Sequence, residues 1–302
     1  MDLEELINKV ILKNINLFGQ KPIIEKIDVG FTNTIYKIND KFILKICSNS
    51  KNESSFKQEI DFYLENKNNA YIPKLYDYAS DKIESPYLYV VIEKLEGISL
   101  YNVWHILGET EREDIIKKLC EILKDFHGNK NNTYDWANYI KQDVLKNLLE
   151  AKNKNILSVN ELSIIENALN YFEKYLCSSD FSFVHNDIHF DNIIYNNGTI
   201  KIIDFERSLY APFDYEFALF FKMVKRPKKF AGEETEKHVN EYDYKYIMNY
   251  VKKYYPELFD IKHLNERLAI YDLSYDLKQY CSYPGDLELK QQVLNLAKQV
   301  AN

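Results

Sequence analysis

Apolar residues first recur at helical spacing, at Leu3, Leu6, Ile7, Val10 and Ile11, which predicts a helix over Asp2–Phe18. The period then shortens. Ile23–Val29, Thr34–Ile38 and Lys41–Ile46 read as strands, joined by Gly30-Phe31-Thr32-Asn33 and by Asn39-Asp40, the pattern of an antiparallel meander. Ser55-x-x-Gln58 reads as a capping box opening a helix whose apolar face is Phe56, Ile60, Tyr63 and Leu64. Leu75–Ala79 and Tyr87–Glu93 complete a mixed sheet.

After Gly97 the helical period dominates. Thr110-x-x-Glu113 opens a helix to His127, with Gly128 as its stop, and a second covers Trp136–Lys152. Ser158-x-x-Glu161 opens a third, to Leu176. A short β region, Phe183–Asp204, turns at Asn196-Asn197-Gly198. Phe213–Lys225, Val239–Tyr254, Leu264–Tyr280 and Leu287–Val300 read as helices. The pattern divides the chain into a strand-rich lobe, residues 1–95, and a larger helical lobe, residues 96–302.

Composition narrows the function classes. The chain holds 8 glycines in 302 residues, well below the usual share of about 7%, so each glycine has more than the usual chance of marking a backbone position that needs it. With 39 basic and 46 acidic residues the net charge is −7, which lacks the basic footprint of a nucleic-acid binder and is compatible with a cationic substrate or with ordinary solubility charge. The longest apolar run, Tyr87–Ile92, is too short to span a bilayer. Cys47, Cys120, Cys177 and Cys281 have no metal-ligand spacing and read as reduced thiols. With an N-terminus that does not read as a signal peptide, this gives the expectation of a cytoplasmic protein. Nothing in the sequence bears on oligomeric state.

The segment richest in chemistry is His185-Asn186-Asp187-Ile188-His189-Phe190-Asp191-Asn192, followed by Ile202-Ile203-Asp204-Phe205-Glu206. Its skeleton is His-x-Asp-x-x-x-x-Asn with an Asp twelve residues further on, at the end of an apolar strand. Phosphoryl transfer uses one carboxylate to orient the attacking hydroxyl and oxygen ligands to hold Mg²⁺ on the phosphates. Asp187 suits the first task, Asn192 and Asp204 the second. A zinc site at His185 and His189 is the rival reading, but no further His or Cys has ligand spacing.

These residues resemble the aminoglycoside phosphotransferase and choline kinase group of small-molecule kinases. The resemblance implies an α+β, two-lobed protein-kinase-like fold, with a small antiparallel-sheet N-lobe that binds nucleotide and a larger, mainly helical C-lobe that carries the catalytic loop and substrate site. The family motif reads close to His-Gly-Asp-Leu-His-x-x-Asn; here Asn186 stands at the Gly position. The resemblance makes Lys45 the strand lysine on the phosphates, with Glu59 as its partner and Glu53 and Asp61 as rivals. It makes Gly30, Thr32, Asn33 and Thr34 the phosphate-covering loop. Ile92, Glu93 and Leu95 become the hinge that reads the base, where the side chains do not separate ATP from GTP. His185 and Asp214 would brace the catalytic loop.

Against a protein-kinase reading, the sequence argues for a small-molecule acceptor. Only ten residues separate Asp204 from Asp214, leaving no room for the activation segment of a protein kinase, and Glu206 stands where Asp-Phe-Gly would end. Glu206, Tyr271, Asp272, Tyr275 and Asp276 are candidate substrate contacts, offering aromatic rings and carboxylates to a cation. An aminoglycoside-like amino sugar, a metabolite such as choline, ethanolamine or homoserine, and a catalytically silent nucleotide-binding role are the three readings the sequence leaves.

Overall fold

The computed structural model describes every residue but 1, 28–32, 84, 129, 132–133 and 178–179, and at 130 and 131 the backbone alone. The predicted Gly30 and Thr32 lie outside the described residues. The chain divides into two compact units, one formed by Met1–Glu111 with Phe190–Ser208, the other by Arg112–His189 with Leu209–Asn302. These units do not follow the expected boundary at 95/96. Ile98–Ser99 pairs antiparallel with Tyr195 and Ile194, so residues 96–111 and the later hairpin belong to the first unit.

In the first unit the strands β1 (Ile24–Ile27), β2 (Thr34–Ile38), β3 (Phe42–Ile46), β4 (Leu75–Ala79) and β5 (Tyr89–Glu93) form one sheet in the order β1-β2-β3-β5-β4. Every pairing is antiparallel, which corrects the mixed sheet expected from sequence. The reason is that β5 inserts beside β3 and pairs antiparallel with both its neighbours, so no parallel crossover is needed. Asn39 and Asp40 both take positive φ, 52° and 54°, as a two-residue hairpin of right-handed twist demands.

Alternation along β3 decides where chemistry sits. Phe42, Leu44 and Ile46 join Leu6, Val10 and Phe18 in an apolar core. Lys45 therefore points to the sheet's other face. The first helix ends at Lys13 and a short one, Ile15–Phe18, follows, rather than one helix to Phe18. Asn14 breaks it, its side chain donating to Val10 O and to Asp77 Oδ2.

The helix between β3 and β4 spans Glu53–Glu65, beginning two residues before the predicted Ser55 cap. A turn at Ser50–Asn52, capped by the Asn49 side chain, feeds it, and Ser55 Oγ donates to Asn52 O instead of capping. The Thr110 box likewise fails: the helix spans Glu109–Gly128, and Gly108 N–H donates to Glu111 Oε2. The Ser158–Glu161 box forms as predicted.

The second unit is built on helices Trp136–Asn153, Val159–Ala168, Asp214–Lys225, Leu264–Ser282 and Leu287–Ala301 around one apolar core. The predicted helix to Leu176 is broken at Leu169–Tyr171, and of Val239–Tyr254 only Ile247–Tyr254 is α-helical. Phe181–Val184 pairs with Leu209–Ala211 and leads directly into His185. No described helix is long and apolar enough to cross a membrane.

Candidate active site

Lys45 is 7% exposed and Glu59 not at all. Burying either alone in this apolar strand–helix interface would be costly, so they pair. Lys45 Nζ donates to both Glu59 oxygens at 2.8 Å and to Asp204 Oδ1 at 2.9 Å, which uses all three ammonium protons. The rival acids are elsewhere: Glu53 takes Lys82 at 2.6 Å and Asp61 is exposed. Burial pushes the Glu59 carboxyl up to about 7 against the pull of Lys45. Burial opposes the Lys45 ammonium, but Glu59 and Asp204 outweigh it and hold the group well above the ordinary lysine range.

Asp204 sits at φ 69°, in the left-handed region that few non-glycine residues adopt. Behind it, Phe205 is buried on the Glu53–Glu65 helix, stacked on Phe62 at 3.9 Å and edge-on to Tyr63 at 5.8 Å. Ile203 N–H donates to Asn192 O at 3.0 Å, which sets Asn192 beside the end of strand Thr199–Ile202. The hairpin between them turns at Asn197 and Gly198, both at positive φ. Glu59, Asp204 and Glu206 offer carboxylate oxygens within 4.8 Å of one another, the one such cluster found among the described residues. The rival zinc pair His185 and His189 joins no such cluster among the described residues. Carboxylates and an amide are hard oxygen donors, a set that fits Mg²⁺ better than zinc.

Of the residues expected to cover the phosphates, Asn33 Nδ2 donates to Glu206 Oε2 at 2.8 Å, and Thr34 Oγ1 donates to Ser48 Oγ at 3.2 Å. Ile92 is buried in β5. Glu93 and Leu95 border a cavity of about 460 Å³ that is also lined by Phe42, Tyr76, Ile194 and Lys201. Gly97 follows at φ 120°, where an added Cβ would run into the Tyr195 carbonyl oxygen.

The loop that carries Asp187 crosses from the second unit to the first between His189 and Phe190. Its later part is tied within the first unit: Phe190 packs on Trp104 and Tyr101, and Ser99 Oγ donates to Asp191 Oδ1 at 2.8 Å. Its earlier part is held by Glu216. Glu216 Oε2 accepts the His185 N–H at 2.6 Å and Oε1 accepts the Asn186 N–H at 3.0 Å. Asn186 stands at φ 60°, which explains the departure from glycine: asparagine is among the few residues that tolerate this region. His185 is fully buried and its Nδ1 accepts the Asp187 N–H at 3.2 Å. His189 Nε2 lies 3.9 Å from Asp187 Oδ2.

Asp214 pairs with Arg267, which reaches it bidentately at 2.7 and 2.8 Å and also donates to Tyr175 O. Glu216, which the sequence offered together with Asp214 as either a helix-start acid or a support of the loop, is the one whose carboxylate meets the loop's backbone N–H groups. Asp214 and Glu216 lie two residues apart on one helical turn and so face different neighbours. Arg267 was missed altogether, although an arginine among Leu264, Leu268 and Ile270 signals a buried partner. His127 is a further missed residue. Its Nδ1 meets Tyr255 OH at 2.7 Å and its Nε2 lies 3.8 Å from Glu216 Oε2.

The candidate substrate residues on helix Leu264–Ser282 are taken up by packing. Tyr271 is 2% exposed, and its hydroxyl accepts from Trp136 Nε1 and Arg267 Nη2. Asp276 and Asp272 share Lys222 Nζ at 2.6 and 3.3 Å, and the same ammonium lies over the Tyr275 ring. Burial raises both carboxyls. The chain thus supplies its own cation to that cluster. Lys222, in a run of Phe220, Phe221, Met223 and Val224, carried the sequence signal for it.

The sequence model of a family described as the phosphotransferase enzyme family matches residues 23–246. No curated protein matches the chain at a significant level. Among solved structures, the chain is similar to the gentamicin complex of APH(2")-IIa, with 18% identity and a TM-score of 0.69, covering 100% of this chain and 98% of that one. It is similar to ADP-bound aminoglycoside phosphotransferase APH(2'')-Ib, with 17% identity and a TM-score of 0.66, covering 100% and 97%. It is also similar to the GDP complex of aminoglycoside 2'-phosphotransferase-IIIa, with 13% identity and a TM-score of 0.62, covering 99% of each. These likenesses show a protein-kinase-like fold with an antiparallel-sheet N-terminal lobe and a helical C-terminal part.

Proposed function

We propose, since the chain belongs to the phosphotransferase enzyme family, that it moves the γ-phosphate of a Mg-nucleotide to a hydroxyl of a small, cationic acceptor of the amino-sugar class. The observation that carries the reading is the Lys45–Glu59–Asp204 triad: a buried lysine held at full charge by two acids, one of them beside an Asn-bearing loop. In this reading Lys45 contacts the nucleotide phosphates and Glu59 fixes its position. Asn33 and Thr34 belong to the covering loop, and Ile92, Glu93 and Leu95 receive the base, adenine or guanine. Asn192 and Asp204 would hold Mg²⁺, which when bound neutralises charge on the phosphates.

Asp187 accepts the hydrogen bond of the acceptor hydroxyl and turns a lone pair toward the γ-phosphorus. As the new P–O bond forms, the bond to the β–γ bridging oxygen breaks, the nucleoside diphosphate leaves, and the hydroxyl proton passes to the Asp187 carboxylate. Glu216 supports this step by fixing the two backbone N–H groups just before Asp187.

The amino-sugar reading is favoured over a quaternary-ammonium acceptor by one observation. Tyr271 is inside the core and Tyr275 already faces Lys222, so the aromatic pair does not form a cage. A nucleoside-diphosphate release screen over aminoglycosides, choline, ethanolamine, homoserine and neutral sugars tests the reading. Turnover stimulated by an amino sugar supports it; turnover with choline alone would contradict it.

A further inference from the structure

Tyr63 is 1% exposed, and its hydroxyl has no hydrogen-bond partner among the described residues. A buried polar group left unpaired is unfavourable, so its persistence calls for a use. Its surroundings point to one. Tyr63 follows Glu59 by one helical turn, so the two side chains lie on the same face of helix Glu53–Glu65. Its ring packs edge-on against Phe205, the neighbour of Asp204. Glu59, Lys45 and Asp204 all lie within electrostatic reach of the hydroxyl.

The Lys45 ammonium is fully committed in this state, with two protons on Glu59 and one on Asp204. It cannot contact a phosphate without withdrawing a proton from one of them. If the proton comes from Glu59, a fully buried carboxylate loses a donor at the moment the site fills.

We propose that the Tyr63 hydroxyl is the reserve donor to Glu59: it replaces the Lys45 N–H that turns to the nucleotide phosphates, so the carboxylate stays hydrogen-bonded in both states. The inference rests on the proposed role of Lys45. Tyr63 is a positioning residue, acting on nucleotide through Glu59, and its hydroxyl is idle in the free chain and engaged in the loaded one.

Tyr63→Phe in the full-length chain tests this, because it removes only the oxygen. Two readouts are expected to diverge. The Tm of the nucleotide-free protein stays at or above that of the wild type, since an unpaired hydroxyl is lost. Binding of Mg-ATP weakens about 30-fold, the effect of one hydrogen bond to a charged group. In a Glu59→Gln background the same substitution is expected to weaken binding no further. A lowered nucleotide-free Tm, an unchanged Mg-ATP affinity, or an equal loss in the Glu59→Gln background would each overturn the inference. The control is separate: if Lys45→Ala binds Mg-ATP as the wild type does, the proposed function falls, whereas loss in Lys45→Ala without loss in Tyr63→Phe removes the Tyr63 role alone.

Discussion

The Glu216 carboxylate accepts the backbone N–H of Asn186 at 3.0 Å while Asn186 itself holds a φ of 60°. One acid thus secures a turn whose backbone only glycine, asparagine and a few others adopt readily. The adjoining Asp187 inherits its position from that turn.

Substituting Asn186 tests the backbone requirement. Asn186→Gly is expected to leave stability within about 0.5 kcal/mol of the wild type, whereas Asn186→Val is expected to lower it by about 1–2 kcal/mol, the penalty of a left-handed conformation for a branched side chain. Urea denaturation measures both.

Glu216→Gln replaces one of two acceptor oxygens by an amide that faces an N–H. A lost hydrogen bond to a charged group amounts to about 2 kcal/mol, or roughly a 30-fold change. The expectation is a fall of that order in kcat with nucleotide affinity little changed, read from steady-state kinetics and equilibrium binding side by side.

Glu59 makes a pH signature. Its carboxyl is raised from an ordinary 4.5 to about 7 in the folded chain, so between those values the folded state holds the proton more tightly than the unfolded one. Stability from this group is therefore fully present below about pH 4.5 and is lost as pH rises through about 7. The difference in unfolding free energy between wild type and Glu59→Gln, followed from pH 5 to 8, is expected to move against the wild type as pH rises; a flat difference would contradict the burial argument.

Gly97→Ala is expected to destabilise the chain by more than about 2 kcal/mol, through a positive φ and a collision with the Tyr195 carbonyl together. Gly198→Ala, with open space around it but φ 82°, is expected to lose about 1 kcal/mol. Thermal unfolding of the two variants ranks them.

Most of the sheet and the skeleton of the site were legible in the sequence, because they depend on local signals. The resemblance to small-molecule kinases singled out Lys45 on its strand, the spacing from Asp187 to Asp204 marked the chemistry, and Gly198 marked the turn. What sequence reading missed depends on tertiary partners. Nothing local distinguishes Asp214, which pairs with Arg267 from a distant helix, from Glu216, which turns to the loop. The tyrosine and aspartate pairs of helix Leu264–Ser282 looked open to a ligand because their periodicity is visible in sequence, while the Lys222 that neutralises the acids lies on another helix. Two predicted capping boxes failed for a smaller reason: a preceding turn and an alternative acceptor began the helices earlier.

The most direct test of the central claim is acceptor-dependent phosphate transfer, followed by mass spectrometry of the acceptor, in wild type and Asp187→Ala. The account predicts that the wild type adds one phosphate to a hydroxyl of an amine-bearing sugar, and that Asp187→Ala binds Mg-nucleotide with similar affinity but transfers none. Equal transfer by both proteins, or loss of nucleotide binding and transfer together in Asp187→Ala, would contradict it.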